Sequence, residues 1–306
     1  MKGLSDTPKY LSSKYFYNQK GDKLFQNIME LDEYYLTRLE YEILEKQKIQ
    51  LLTLFGNGAT HFNLIEFGAG DGFKTKVLLK HFLEKKADFK YLPIDISGNA
   101  LKLLKADLEK NLPMLETEML QGEYFQSLAA FSKTDATRKV VLLLGSNIGN
   151  FLKPVAIKFL SHIGDILSTG DRLLLGADLK KDPDIILAAY NDKNGVTKTF
   201  NLNLLKRINH ELGGDFQLDQ FHHYPVYDPM TGEVRSYLIS MMDQTVNIRQ
   251  LNASFHFIQW EAIYMELSQK YEIKDLEELA EASGFRVIEH FYDSNKYFVD
   301  TLWEVI

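Results

Sequence analysis

From residue 62 to residue 175 the chain alternates short apolar runs with stretches of helical spacing, and this rhythm restricts the fold more than any other feature. The runs at 62–67 (FNLIEF), 89–96 (FKYLPIDI), 139–144 (KVVLLL) and 172–175 (RLLL) are bounded by Gly, Asp or Pro. They read as strands buried on both faces. Between them, 74–86, 99–111 and 154–167 carry helical spacing, with Pro154 standing where a first helical turn tolerates it. Strand and helix alternating at this pace predict an α/β architecture, a doubly wound parallel sheet with helices on both faces. Near the C-terminus a helix at 273–283 ends at Gly284. Two further strand-like runs, 285–291 and 297–305, flank the linker YDSNK and are expected to pair as a hairpin.

Residues 1–38 and about 181–270 do not continue the alternation. They mix helices with alternating strands such as 221–227 and 234–241, and predict a second α+β layer drawn from both ends of the sequence. A chain of 306 residues has room for about two domains, and 45% hydrophobic with 25% charged residues is ordinary globular composition. The absence of cysteine excludes disulfides, thiolate metal sites and a cysteine nucleophile. A net charge of −7 without a long basic run argues against a nucleic-acid partner. No window approaches the ~18 consecutive apolar residues of a membrane span, and the first residues lack the apolar core of a secretory signal. The expectation is a cytoplasmic monomer acting on a small-molecule substrate, without membrane or nucleic acid.

The most informative local feature is Glu66-Phe67-Gly68-Ala69-Gly70-Asp71-Gly72, directly after the first strand and before a helix. Glycines there allow a sharp turn and close approach of a ligand, at the place where a doubly wound sheet binds a nucleotide-like group. The dinucleotide fingerprint requires glycine at position 73, which is Phe73, so an NAD oxidoreductase is disfavoured. An acidic residue at the end of the next strand, Asp95, suits a ligand with ribose hydroxyls and an amino-acid tail but no phosphate. S-adenosylmethionine is such a ligand, and Asp95 would accept hydrogen bonds from both ribose hydroxyls. A second loop, Gly145-Ser146-Asn147-Ile148-Gly149-Asn150, follows a later strand of the same sheet and opens onto the same carboxyl-end crevice. The bland alternative for the first loop is a tight strand-to-helix turn capped by Asp71.

With these loops in place the chain resembles the L-histidine Nα-methyltransferases of ergothioneine biosynthesis, S-adenosylmethionine-dependent enzymes that trimethylate the α-amino group of histidine to give hercynine. The resemblance spans nearly the whole chain, in segments 14–44, 64–75 (LIEFGAGDGFKT), 143–151 (LLGSNIGNF), 173–182 (LLLGADLKKD), 188–201 (AAYNDKNGVTKTFN) and 265–271 (MELSQKY). It implies a class I, Rossmann-like methyltransferase domain from 39–180 and 271–306, and a substrate-binding domain from 1–38 and 181–270. By that resemblance Gly68, Gly70, Lys74 and Asp95 match the cofactor motif, with Lys74 near the methionine carboxylate. Glu123 and Tyr124 match the adenine-reading position, where Glu123 departs from the family's usual Asp by one methylene. Asn150 and Tyr190 match the residues that hold the amino acid's carboxylate, Glu266 and Ser268 the pair that reads the imidazole, and Tyr17, Phe25 and Tyr34 the aromatics lining the methyl-transfer region. Tyr17 or a water is the expected proton acceptor.

The chemistry of the imidazole pair is consistent with that role. Side chains two apart on a strand share a side, so a carboxylate and a hydroxyl can meet both ring nitrogens, and a site built that way rejects apolar amino acids. Taken alone, Glu266 reads as a solvated strand residue, Tyr34 and Tyr35 as packing aromatics, and Asn150 as a helix cap before 151–154. His210, His222, His223 and His256 lack metal-ligand spacing, and His222 and His223 face opposite ways on a strand, so no metal is expected. Two other functions share the motifs: an S-adenosylmethionine-dependent N-methyltransferase of another amino acid or small amine, and a catalytically silent family member serving as a binding module.

Overall fold

The computed structural model describes residues 2–16, 18–56, 61–134 and 137–306. Its strands, numbered along the chain, are β1 (Lys9–Tyr10), β2 (Phe62–Phe67), β3 (Phe89–Asp95), β4 (Leu120–Gln121), β5 (Arg138–Leu143), β6 (Arg172–Asp178), β7 (Phe221–Asp228), β8 (Glu233–Ser240), β9 (Gln244–Ile248), β10 (Ala253–Phe257), β11 (Ala262–Gln269), β12 (Phe285–Tyr292) and β13 (Phe298–Val305). The chain divides into two compact units, residues 36–180 with 270–306, and residues 1–35 with 181–269.

The unit built from 36–180 and 270–306 carries a seven-stranded sheet in the order β12-β13-β6-β5-β2-β3-β4. Strands β2 to β6 pair in parallel, and β13 alone runs antiparallel to β6 before pairing with β12. From β2 the chain moves outward to β3 and β4, then returns past β2 to β5 and β6. Right-handed crossovers therefore place the two sets of helices on opposite faces. The reversal lies between β2 and β5, so the loops after these two strands border the switch-point crevice where ligands of such sheets bind. Strands β2, β5 and β6 are buried along almost their whole length, as their predominantly apolar runs suggest, with Asn63, Glu66, Lys139, Arg172 and Asp178 buried among them. One face of the sheet packs Ile65, Phe67, Val141, Leu143, Leu173 and Leu175 against Ala156, Leu160 and Ile163 of the Lys153–Ile166 helix and Leu276 and Leu279 of the Ile273–Ala282 helix. The hairpin turn is closed by Asp293, whose carboxylate accepts from the amides of Asn295, Tyr297 and Phe298 at 2.7 Å each.

The second unit holds a four-stranded sheet, β1-β11-β8-β7, and a separate β9-β10 pair. Strand β8 alternates buried and half-buried residues, the period-two pattern of an antiparallel sheet covered on one face. Its core gathers Phe200, Leu204 and Leu205 from the Val196–Leu212 helix with Phe221, Leu238, Phe257 and Ile263, and Phe25 and Tyr34 pack at its edge. The two-residue strand β4, half-buried at Leu120 and exposed at Gln121, has no counterpart among the apolar runs of the sequence, because it exists only through edge pairing with β3.

Candidate active site

The turn after β2 is left-handed at Gly68, Gly70 and Gly72, with φ of 67°, 55° and 63°. At Gly68 the lack of a side chain is also needed for space, since a Cβ would lie 2.8 Å from the Tyr124 hydroxyl. Gly70 is exposed with nothing within 4 Å of where its Cβ would be, so this stretch of backbone is open to a ligand. Asp71 caps the turn through the Phe73 amide at 3.0 Å. Asp95, the last residue of β3, faces the same turn: Oδ2 accepts from the Gly70 amide at 3.4 Å and Oδ1 from the Ser97 amide at 2.8 Å. Tyr124 closes the far side, stacked on Phe67 with centroids 4.8 Å apart and planes 6° from parallel. Burial first, then the charges of Asp95 and Glu123, push its hydroxyl up to about 12, so at neutral pH it is a donor. Glu123 is exposed beside it.

The second loop, after β5, is more strained. Ser146 holds a left-handed φ of 56° that only glycine adopts freely, and its Oγ accepts from the Asp178 amide at 3.0 Å, which offsets that strain. The Asn147 amide nitrogen comes within 3.9 Å of the Cβ position at Gly68 and 3.8 Å of that at Gly145, so its side chain lies beside both loops. Asn150 is exposed at the end of a 3-10 turn, Asn147–Asn150. It does not cap the following helix: that cap is Leu152, which offers no side-chain acceptor. Lys74 stands at the N-cap of the Thr75–Glu84 helix with its ammonium paired to Glu40.

Of the residues matched to histidine recognition, Asn150 belongs to the seven-stranded unit, and Phe25, Tyr34, Tyr190, Glu266 and Ser268 occur in the unit of 1–35 and 181–269. Tyr190 ends the Pro183–Tyr190 helix, its carbonyl accepts from His223 Nε2 at 3.0 Å, and its hydroxyl shares a 2.7 Å hydrogen bond with Ser268 Oγ. Burial lowers the affinity of His223 for a second proton, consistent with a neutral ring donating through Nε2. Ser268 and Glu266 lie on β11, where a bulge after Tyr264 shifts the pairing with β8 by one residue. Beyond the bulge Glu266 opposes Ser236 and Ser268 opposes Val234, both buried, instead of Arg235 and Glu233. Paired residues share a face, so the bulge turns the carboxylate and hydroxyl toward the covered side of the sheet. Phe25 and Tyr34 meet edge to face at 6.4 Å. Tyr17 lies outside the described residues.

The family described as histidine-specific, SAM-dependent methyltransferases matches residues 1–305. The chain belongs to this family. It is 34% identical to the histidine N-alpha-methyltransferase of Mycolicibacterium smegmatis over 281 residues, covering 92% of this chain and 86% of that one. Identity to the histidine N-alpha-methyltransferase of Mycobacterium tuberculosis is 31%, over 93% of this chain and 87% of the relative. The ergothioneine biosynthesis protein 1 of Neurospora crassa is 30% identical over 95% of this chain but only 33% of its own length.

As a histidine-specific methyltransferase the chain has the Rossmann-like class I fold in the seven-stranded unit. The residues at its switch point suit S-adenosylmethionine: an open glycine turn, a carboxylate at its edge and a half-buried aromatic donor behind it. No NAD-type third glycine is present, since position 73 is an exposed Phe stacked on Tyr41 at 5.1 Å. Two features of the site left little trace in the sequence. The bulge in β11 is marked by neither Gly nor Pro, and Glu40 is betrayed only as a charge on the apolar stripe of its helix. Among the described residues no three His, Asp or Glu side chains gather as a metal site.

Proposed function

We propose that this methyltransferase transfers three methyl groups from S-adenosylmethionine to the α-amino nitrogen of histidine, giving hercynine in ergothioneine biosynthesis. The observation that carries the reading is the Tyr190–Ser268 hydrogen bond, with Glu266 brought by the bulge to the same face of the strand. That set offers a phenol, a hydroxyl and a carboxylate, which match an amino acid's carboxylate and the two nitrogens of an imidazole. Asp95 would hold the ribose, and Glu123 with Tyr124 the adenine, leaving Lys74 for the methionine carboxylate. Asn150 and Tyr190 would anchor the substrate carboxylate.

S-adenosylmethionine supplies an electrophilic methyl group. The chain's own residues have to hold the amine nitrogen in line with that methyl, and positioning of this kind can account for most of the rate. The nitrogen attacks through its free lone pair, so it gives up a proton before each transfer, with Tyr17 or a water as the acceptor. As charge becomes fixed on nitrogen, Phe25 and Tyr34 would stabilise it through their ring faces by about 0.5–2 kcal/mol.

Mass spectrometry of histidine incubated with the protein and S-adenosylmethionine tests this: products one, two and three methyl groups heavier are expected. In a panel of amino acids histidine should be the preferred acceptor, and Glu266→Ala should cost histidine selectively. Preferential methylation of another amino acid or amine would replace the substrate assignment, and no S-adenosylhomocysteine binding would favour a silent binding module.

A further inference from the structure

The Leu36–Gly56 helix turns Leu36, Leu39, Ile43, Leu44 and Leu51 inward, and Glu40 stands on the same stripe with no exposed surface. A carboxylate buried there without partners would be strongly destabilising, so its contacts show its use. Oε1 accepts from the amide of Gly145, the first residue of the loop after β5, at 2.6 Å. Oε2 is paired with the ammonium of Lys74, at the end of the loop after β2. One side chain thus fastens both loops that border the switch point.

The sheet below is shaped around it. Gly176 lies inside β6 without a positive φ, yet any Cβ on it would collide with Glu40 Oε1. Opposite Gly176 in register stands Asp300, fully buried, with neither carboxylate oxygen hydrogen-bonded among the described residues. Burial, reinforced by the neighbouring Glu40, raises the Asp300 carboxyl well above the ordinary range. The carboxyl group that meets the Lys74 ammonium is that of Glu40, while neither Asp300 oxygen is hydrogen-bonded among the described residues.

We infer that Glu40 is a positioning residue for the methyl donor: it fixes the Lys74 ammonium and the Gly145 amide at the spacing that receives the donor's amino-acid end. The inference rests on Lys74 meeting the methionine carboxylate. Glu40, having no exposed surface, acts through those two groups and does not touch the ligand.

Calorimetric titration with two ligands separates positioning from a structural role. S-adenosylhomocysteine carries the amino-acid tail; 5′-methylthioadenosine shares the adenosine and thioether but lacks it. Glu40→Gln should weaken S-adenosylhomocysteine at least about tenfold and leave methylthioadenosine within about twofold, since only the tail senses the charge-assisted contacts. Gly176→Ala, which displaces the Glu40 carboxylate without altering it, should produce the same selective loss and carries the test if Glu40→Gln does not fold. Lys74→Met reports on the underlying reading. Selective loss with Lys74→Met but equal weakening of both ligands, or no weakening, with Glu40→Gln and Gly176→Ala overturns the inference alone. Unchanged S-adenosylhomocysteine binding in Lys74→Met overturns the reading of Lys74 and the inference with it.

Discussion

At the residue scale, burial raises the pKa of one carboxyl group just before the glycine turn to about 7. Glu66, within β2 and two residues before Gly68, receives hydrogen bonds from the Thr75 hydroxyl at 2.6 Å and from the Tyr91 hydroxyl. Both donors favour the carboxylate, but burial favours the acid and wins, raising its pKa from 4.5 to about 7. The unfolded chain loses this proton around 4.5 and the folded chain only near 7. Across that window the native state binds more protons than the unfolded one, so stability falls as pH rises and levels off above it. The loss is on the order of 3 kcal/mol. Glu66→Gln removes the titration, so urea unfolding at pH 5 and pH 8 should show the parent losing stability between the two relative to the variant. Parallel behaviour of the two proteins would exclude Glu66 as the source. The turn itself is legible from residue types, because left-handed glycines after a strand and an Asp at the end of the next strand are encoded by residue type and spacing. Glu40 is not, since a Glu in a helix reads as solvated until the helix's inward face is known.

At the element scale, strands β2, β3, β5 and β6 were legible because each is a short, predominantly apolar run bounded by turn residues, and the C-terminal hairpin because its turn residues separate two strand-like runs. The bulge in β11 was not, since its cause is pairing with β8 and not any local residue preference. The Pro183–Tyr190 helix offers the clearest test of how an element aims a side chain. Its last residue presents the Tyr190 hydroxyl to Ser268, and the imidazole of His223 meets the Tyr190 carbonyl at the helix end. His223→Ala removes that anchor and should raise the KM for histidine about tenfold, worth ~1.4 kcal/mol, while the KM for S-adenosylmethionine stays near the parent value. Combining it with Tyr190→Phe should add less than the sum of the single effects, because both changes act on one contact. Full additivity in that steady-state cycle would show that His223 does not act through Tyr190.

At the scale of the whole molecule, the chain crosses between its two units after residues 35, 180 and 269, so neither unit is one continuous stretch. The seven-stranded unit nevertheless joins its own segments tightly. Leu179 and Tyr271 bridge in parallel, the Lys180 amide donates to the Tyr271 carbonyl at 2.9 Å, and the Tyr271 amide donates to the Asp178 carbonyl at 3.0 Å. Beside them Lys270 and Asp178 form a fully buried ion pair at 2.7 Å, an arrangement that costs about 3–5 kcal/mol when one partner is removed. The ends at 180 and 270 are therefore held next to each other by contacts within the unit, and a linker of a few residues can replace everything between them. A protein beginning at Leu36, with residues 181–269 replaced by a short Gly-Ser linker, keeps the complete sheet, both glycine loops, Asp95 and Glu40. It should unfold cooperatively, and S-adenosylhomocysteine at a hundredfold its Kd should stabilise it by about 2.7 kcal/mol, visible as a rise in Tm. Lacking Tyr190, Glu266 and Ser268, it should yield no methylated histidine. A cooperative transition that S-adenosylhomocysteine leaves unmoved would place a required part of donor binding in the deleted unit, and no cooperative transition would show that the sheet needs that unit to fold.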